Sequence, residues 1–179
     1  MKYIPVLLLL CLYSSGFAQT QTEPMNLLLN PGFEQNDQGK IESWTRYDQD
    51  QSVTHVTDAL PRGCKSAVKL TIDSVGSKQG ALSQKLRGLP ENKTLQLSAQ
   101  LKATRPRIAY LQVKLKASGK EIKRLKTREC TTDWQTVSLT IPTGNADEIS
   151  VQLRFSQDNK AQGQSLWLTD LKLIDVTEK

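Results

Sequence analysis

The feature that most constrains this chain is a strict alternation of apolar and polar residues. In the segment 94–103, four small or aliphatic residues occupy every second position: Leu95, Leu97, Ala99 and Leu101. Because successive side chains of a β-strand point to opposite faces, this pattern predicts a strand with one buried and one solvated face. The alternation recurs in 66–73, 108–116, 134–141 and 149–155. A helical repeat of 3.6 residues is not sustained anywhere beyond a turn or two, so the pattern predicts an all-β chain.

Turn-forming residues separate these segments. Pro and Gly occur between them at Pro31-Gly32, Pro61, Gly63, Gly88, Pro90 and Gly119. These turn residues divide the chain into about ten candidate strands. This number of short strands predicts a two-sheet antiparallel β-sandwich of the jelly-roll type. The run at 26–29 predicts a first strand that enters a tight turn, and 166–173 predicts a last strand close beside it. A length of 179 residues suits one domain.

The N-terminus has the pattern of a secretory signal peptide. One lysine, Lys2, precedes an apolar run at 4–13, and Gly16 and Ala18 are the small residues of a cleavage site. The run is shorter than the ~20 residues that span a bilayer. The expected organisation is therefore a signal peptide at 1–18, a flexible lead-in at 19–25, the sandwich at 26–176 and a tail at 177–179. We expect an exported protein, secreted or periplasmic, without membrane insertion after cleavage.

The positive charge is concentrated in one part of the chain. The net charge is +6, and the residues between 105 and 128 are strongly basic. Alternation places Lys114 and Lys116 beside Gln112 and Tyr110 on one strand face. Such a ridge suits an acidic polysaccharide, an anionic membrane surface or nucleic acid. Export and the scarcity of interleaved aromatic residues disfavour nucleic acid. A solvated hairpin whose lysines prevent edge-to-edge sheet pairing is the alternative.

Two cysteines remain after Cys11 leaves with the signal peptide. In an exported protein the pair Cys64 and Cys130 predicts a disulfide, which stabilises by ~4 kcal/mol in the chain-entropy model. Two separate thiols are the alternative.

Residue types needed for catalysis are scarce. His55 is the only histidine, and the sequence contains neither a Gly-x-Ser-x-Gly motif nor a cluster with metal-ligand spacing. We therefore expect no enzymatic activity.

Four motifs resemble, in order and approximate spacing, the jelly-roll carbohydrate-binding modules of families 4, 9 and 22. They are Asn26-Leu27-Leu28-Leu29-Asn30-Pro31-Gly32-Phe33-Glu34, Ser43-Trp44-Thr45, Asp133-Trp134-Gln135-Thr136-Val137 and Leu166-Trp167-Leu168-Thr169-Asp170-Leu171-Lys172-Leu173. The resemblance implies a two-sheet jelly roll that binds glycans without cleaving them.

The resemblance also implies one structural calcium near the first and last strands. The matching positions are Glu34 and Asp170, and backbone carbonyls would have to complete the site. The last strand of the family usually carries two consecutive acids, and Thr169 stands in place of the first. An exposed Glu34 and an Asp170 that caps a strand bulge are the alternative.

Sugar binding needs flat aromatic faces and well-placed polar groups. The candidate ligand-binding residues are Tyr47, Tyr110, Gln112, Lys114 and Trp167, whereas Phe33, Trp44, Trp134 and Phe155 are interpreted as packing residues. The leading hypothesis is a secreted, non-catalytic module that binds a polysaccharide or oligosaccharide, with an acidic polysaccharide as one ligand class. The alternative is a structural or adhesion β-sandwich that binds a protein partner.

Overall fold

The computed structural model describes residues 24–46, 51–74, 81–155 and 161–177. Ten strands cover most of these ranges: β1 Thr45–Arg46, β2 Gln51–Val56, β3 Ala67–Ile72, β4 Ala81–Arg87, β5 Thr94–Ala103, β6 Ala109–Ala117, β7 Lys120–Lys126, β8 Gln135–Pro142, β9 Glu148–Phe155 and β10 Ser165–Asp175. The predicted all-β fold class is confirmed. Within the described ranges, no helix has the length and apolarity needed to cross a bilayer. The predicted signal peptide lies outside them.

The strands form two antiparallel sheets of five strands each. The front sheet has the order β1-β4-β9-β6-β7, and the back sheet has the order β2-β3-β10-β5-β8. Most neighbours within a sheet are distant in sequence, because the chain crosses repeatedly from one sheet to the other. This arrangement confirms the predicted two-sheet antiparallel sandwich.

The apolar face of each alternating segment points into the space between the sheets. Burial in β5 alternates without a break, and Leu97 and Leu101 are fully buried. Across the core, β6 contributes Leu111, Val113 and Leu115. Each sheet therefore keeps a second, outward face, on which the polar residues of the alternation are displayed.

The start of the domain differs from the prediction, because 26–29 does not form a regular strand. The backbone N–H of Leu27 donates to the carbonyl of Leu173 at 2.8 Å. The next ladder positions are taken by a side chain, since the amide of Gln84 bonds both the N–H and the C=O of Leu29 at 2.8 Å. The first regular strand of the sandwich, β1, comprises only Thr45–Arg46. The expected closeness of the segment 26–29 to the last strand is confirmed.

The last strand is interrupted by a bulge. The pairing of β10 with β5 shifts register between Thr169 and Lys172, and Asp170 has a φ of 49°. A bulge leaves one residue unpaired and turns its side chain away from the ladder. Asp170 is therefore exposed, whereas Leu168 and Leu171 on either side are buried.

The predicted disulfide is wrong, because Cys64 and Cys130 are both free. Cys64 lies in the loop before β3 of the back sheet. Cys130 follows β7 of the front sheet and is held in the core, where its sulfur accepts the N–H of Ala109 at 3.3 Å. The two thiols lie in different loops, and spacing in sequence cannot show whether two loops meet. Burial raises the pKa of Cys130, so its thiol stays protonated.

Candidate functional site

Cross-strand register defines the outer face of the front sheet. Residues directly opposite each other on antiparallel strands point to the same side. One continuous row therefore crosses all five strands, from Thr45 through Ser83, Gln152 and Gln112 to Lys126. Parallel rows contain Arg154 and Tyr110, then Lys85, Ser150, Lys114 and Arg124, then Arg87, Glu148, Lys116 and Glu121. We call these residues together the front face.

The centre of the front face is polar but withdrawn from solvent. Ser83, Gln112, Ser150 and Gln152 are only 1% to 5% exposed. The amide of Gln112 donates to Oε1 of Gln152 at 2.9 Å, and Nε2 of Gln152 donates to Oγ of Ser150 at 3.2 Å. Longer side chains in the neighbouring rows surround these four residues. We call these four residues the polar floor, because their side chains are shorter or more buried than the side chains that surround them.

Tyr110 places an aromatic ring beside the polar floor. The Tyr110 side chain is half-buried. Tyr110 lies opposite Arg154 of β9 and one row away from Gln112. The Lys126 ammonium is 5.5 Å from the centre of the Tyr110 ring, which is within cation–π range. A flat apolar surface next to grouped hydrogen-bonding side chains is the combination expected of a sugar site.

The front face carries excess positive charge. Seven basic residues, Lys85, Arg87, Lys114, Lys116, Arg124, Lys126 and Arg154, outweigh the acids Glu121 and Glu148 in the rows defined above.

Both acids of the front face are held by basic neighbours. Arg124 bonds Glu121 through two nitrogens at 2.8 and 2.9 Å, and Arg87 bonds Glu148 at 3.0 Å. The Arg124 hydrogen bond lowers the pKa of Glu121, and the Arg87 hydrogen bond lowers that of Glu148. Both carboxylates therefore stay ionised and neutralised, which leaves the face net positive.

The structure brings some predicted ligand residues together and separates others. Tyr110, Gln112 and Lys114 lie side by side on β6 of the front face. Trp167 lies on the outer face of the back sheet, and Tyr47 lies outside the described residues. The sequence interpretation missed Ser83, Ser150 and Gln152. The strand order places β9 beside β6 and β4 on the far side of β9, and no local pattern shows this order. The alternation in 149–155 is the one signal that points to two of these residues, Ser150 and Gln152.

Trp134, which the sequence analysis interprets as a packing residue, packs outside the core between the sheets. It is half-buried just before β8, and its indole N–H donates to the carbonyl of Ala59 at 3.1 Å. The ring lies on the outer side of the back sheet, where the Lys102 ammonium is 4.8 Å from its centre. Phe33, Trp44 and Phe155 are buried, as predicted.

Glu34 and Asp170 line one small pocket of about 290 Å³ at the bulge of β10. The carboxylate of Glu34 folds over Gly32, since a Cβ at that glycine would come within 3.0 Å of Oε1. Gly32 and Ser66 also line this pocket, and Oγ of Ser66 donates to the carbonyl of Gly32 at 3.3 Å.

Carboxylate and carbonyl oxygens in one pocket suit a hard cation such as calcium. At the position where the family usually carries an acid, the Thr169 hydroxyl donates to the carbonyl of Ser66. This hydrogen bond stabilises the wall of the pocket. The Lys172 ammonium is 2.8 Å from Oδ1 of Asp170 and supplies the positive charge there. Among the described residues, no group of three acidic, cysteine or histidine side chains is placed to hold a metal ion.

A larger pocket of about 680 Å³ opens where β1 meets the edge of the sandwich. Trp44, Arg46, Val53 and Leu82 contribute to its lining. Thr45 also lines this pocket, and it is the last residue of the row that contains Gln112 and Gln152. The pocket therefore lies at the β1 end of the polar floor.

Comparison with known proteins shows similarity at the level of structure. No family model and no curated protein matches the chain. It is similar to the CBM22-1 xylan-binding domain of Paenibacillus barcinonensis Xyn10C, with a TM-score of 0.63 and 14% identity over 87% of this chain and 97% of that one. A CBM4 structure matches with a TM-score of 0.56 and 18% identity over 82% and 98% of the two chains.

A part of the bacteriophage CBA120 tailspike protein 4 domain is also similar, with a TM-score of 0.64 and 13% identity. The match covers 84% of this chain but only 21% of the tailspike chain. At these identities the similarity concerns the fold. The chain has the jelly-roll fold of carbohydrate-binding modules, and the resemblance to families 4 and 22 is confirmed at that level.

Proposed function

We propose that this protein is an exported, non-catalytic carbohydrate-binding module whose ligand lies on the front face. The observation that carries the proposal is the polar floor with Tyr110 beside it. The known modules with this fold include one described as xylan-binding, which supports a glycan as the ligand class. A polysaccharide or an oligosaccharide fits this surface.

The arrangement of the polar floor suits an extended sugar chain that crosses the strands. Gln112, Gln152 and Ser83 lie on three adjacent strands, spaced by about 4.8 Å each. Amide and hydroxyl groups both donate and accept, so they can bond the hydroxyls of successive sugar rings. Tyr110 offers a ring face on which one pyranose can stack.

The charge of the front face favours an acidic polysaccharide over a neutral one. Lys85 and Lys126 have no ion-pair partner among the described carboxylates, and they lie on opposite sides of the polar floor. Uronate carboxylates along a bound chain would therefore meet ammonium groups on both sides.

The acids of the front face do not suit glycoside hydrolysis. A general acid needs a raised pKa, whereas basic neighbours lower the pKa of both Glu121 and Glu148. We expect no reducing ends to be released from any polysaccharide that the protein binds. Measurable hydrolysis that purifies with the protein would contradict the non-catalytic assignment.

The ligand site is tested by calorimetric titration with oligosaccharides of xylan, galactan and polygalacturonate. Tyr110→Ala and Gln152→Ala should each weaken binding about tenfold, because each removes one stacking or hydrogen-bonding contact. Thr140→Ala on the outer face of the back sheet is the matched control and should bind normally. Unchanged affinity in both front-face variants would refute this site, and circular dichroism checks that each variant is folded.

We also propose that the pocket of Glu34 and Asp170 holds one calcium ion. The two carboxylates and the carbonyls of Gly32 and Ser66 would be its protein ligands, and Lys172 would have to turn away. A ligand present at 100 times its dissociation constant stabilises the native state by ~2.7 kcal/mol, which raises Tm by about 5 to 10 °C at this chain length. Calcium should raise Tm and chelator should reverse it, and Glu34→Gln should abolish the response. A Tm that ignores calcium would refute the site.

A further inference from the structure

The outer face of the back sheet carries a row of alternating lysine and tryptophan side chains. Trp167 on β10 pairs directly with Lys69 on β3 and with Lys102 on β5. Trp134, just before β8, stands on the far side of Lys102. We call these four residues the back row. It lies on the opposite side of the sandwich from the polar floor.

The rings hold the two ammonium groups in place. The Lys102 ammonium is 4.8 Å from the centres of both tryptophan rings, and the Lys69 ammonium is 5.4 Å from that of Trp167. All four side chains are half-buried. Cation–π contact leaves the outward side of each ammonium free to bond an anion, and the ordering of these long side chains is already achieved before any ligand binds.

These ammonium groups have no acidic partner in the part of the chain that the structure describes. The ion pairs found there involve other lysines and arginines. The strand neighbours of the row are hydroxyl and amide side chains, including Thr54, Thr71 and Gln100. One strand separates Lys69 from Lys102, so the two positions are about 10 Å apart. Two fixed positive charges in line, flanked by hydrogen-bonding groups, are complementary to a chain with regularly spaced carboxylates.

We infer that the back row is a second binding site, which takes the carboxylate groups of an acidic polysaccharide. The choice of this polymer over other polyanions rests on the proposed function, because the front face of the same molecule combines sugar-binding groups with positive charge. With one site on each side of the sandwich, a single molecule binds two polysaccharide strands and cross-links them.

The experiment measures binding and cross-linking of one probe, polygalacturonate. Affinity electrophoresis reports binding, and turbidity on mixing reports cross-linking. The variant Lys69→Gln/Lys102→Gln should still bind through the front face but should lose the turbidity, and its affinity for polygalacturonate should fall about tenfold. Tyr110→Ala/Gln152→Ala should also lose turbidity while it keeps binding through the back row. The two pairs combined should bind nothing.

Two control variants separate specific contacts from total charge and from misfolding. Lys40→Gln/Lys120→Gln removes the same charge from exposed positions outside the polar floor and the back row, since Lys40 lies in a loop and Lys120 begins β7, opposite Ala117. It should behave as wild type. Lys69→Arg/Lys102→Arg keeps both charges and should keep the turbidity.

The outcomes distinguish this inference from the proposed function. Undiminished turbidity in the Lys69/Lys102 glutamine variant overturns the back row and leaves the front face untouched. Loss of all binding in that variant, with normal binding in the front-face variant, supports the back row and overturns the front site. Wild-type protein that does not bind polygalacturonate, or that binds anionic lipid vesicles or duplex DNA equally well, overturns the assigned ligand.

Discussion

At the scale of single residues, two asparagines organise the beginning of the domain. Asn26 joins it to the last strand: Nδ2 donates to the carbonyl of Leu171 at 2.9 Å, and Oδ1 accepts the N–H of Leu173 at 2.9 Å and that of Leu28 at 3.2 Å. Asn30 holds the following turn, where its side chain bonds both the N–H and the C=O of Glu34. The amide side chains therefore replace backbone ladder bonds that the irregular start cannot make.

Replacing Asn26 by alanine should lower the free energy of unfolding by about 2 to 3 kcal/mol, since three hydrogen bonds are lost at about 1 kcal/mol each. Urea denaturation followed by tryptophan fluorescence measures the change. Asn145→Ala, at an exposed position of the turn after β8, should change stability by less than about 0.5 kcal/mol. Equal midpoints for Asn26→Ala and wild type would contradict the role of Asn26.

Asp175 makes the stability of the closing strand depend on pH. The Thr177 hydroxyl and N–H, followed by the Lys93 ammonium, lower the pKa of this carboxyl to about 2, from an ordinary value of 3.8. A depressed pKa contributes stability that is present above the unfolded value and is lost as the pH falls through the folded one. As the pH falls from about 4 to about 2, the Tm of the wild type should therefore decrease by more than the Tm of Asp175→Asn. Parallel pH curves for the two proteins would exclude this contribution.

At the scale of elements, the β6–β7 hairpin supplies much of the front face. The turn that joins the two strands has left-handed φ values of 49° at Ser118 and 78° at Gly119. Paired positive φ values are typical of the tight turns that match the twist of a hairpin, and glycine adopts them without strain. The turn and the register shift between Leu115 and Lys116 together place Lys126 opposite Gln112 and Arg124 opposite Lys114.

Changing Gly119 to alanine should lower the free energy of unfolding by about 1 kcal/mol. Nothing lies within 4 Å of the added Cβ, so the cost comes from the backbone conformation alone. Ser118→Asn is the matched variant and should be neutral or stabilising, because asparagine tolerates the left-handed region better than serine. Thermal unfolding measures both, and a stabilising Gly119→Ala would show that the turn adopts another conformation in solution.

At the scale of the whole molecule, the sandwich presents two cationic faces in opposite directions. The net charge of +6 is not spread evenly, because much of it lies on β6, β7 and the adjacent strands of the front sheet. Long-range attraction between such surfaces and a polyanion is screened by salt, since the Debye length falls from ~30 Å at 0.01 M to ~8 Å at 0.15 M.

Binding of polygalacturonate should therefore weaken about tenfold or more as the ionic strength rises from about 0.01 M to about 0.15 M. Binding of a neutral oligosaccharide, if it uses the polar floor alone, should change less than about twofold over this range. Titrations at a series of salt concentrations compare the two. An affinity for polygalacturonate that does not respond to salt would show that the charges of the two faces take no part in binding.

Much of the architecture follows from local sequence. Alternation in 66–73, 94–103 and 108–116 identifies strands and their buried faces, because a period of two residues is a property of the strand itself. Tyr110, Gln112 and Lys114 share a face for the same reason. The runs at 26–29 and 166–173 predict that the start of the domain lies beside the last strand, and the bonds of Asn26 to Leu171 and Leu173 confirm it.

The amino-acid sequence alone determined where the main strands lie, which of their residues point inward, and which residues share the outer face of β6. Tertiary structure decided which strands are neighbours, and therefore that Ser83, Ser150 and Gln152 complete the polar floor while Trp167 belongs to the opposite side. It also decided that Cys64 and Cys130 remain unpaired. The physical reason is the same in each case. Side-chain direction within a strand is set by adjacent residues, whereas strand order depends on long crossings between two sheets, and no local pattern encodes it.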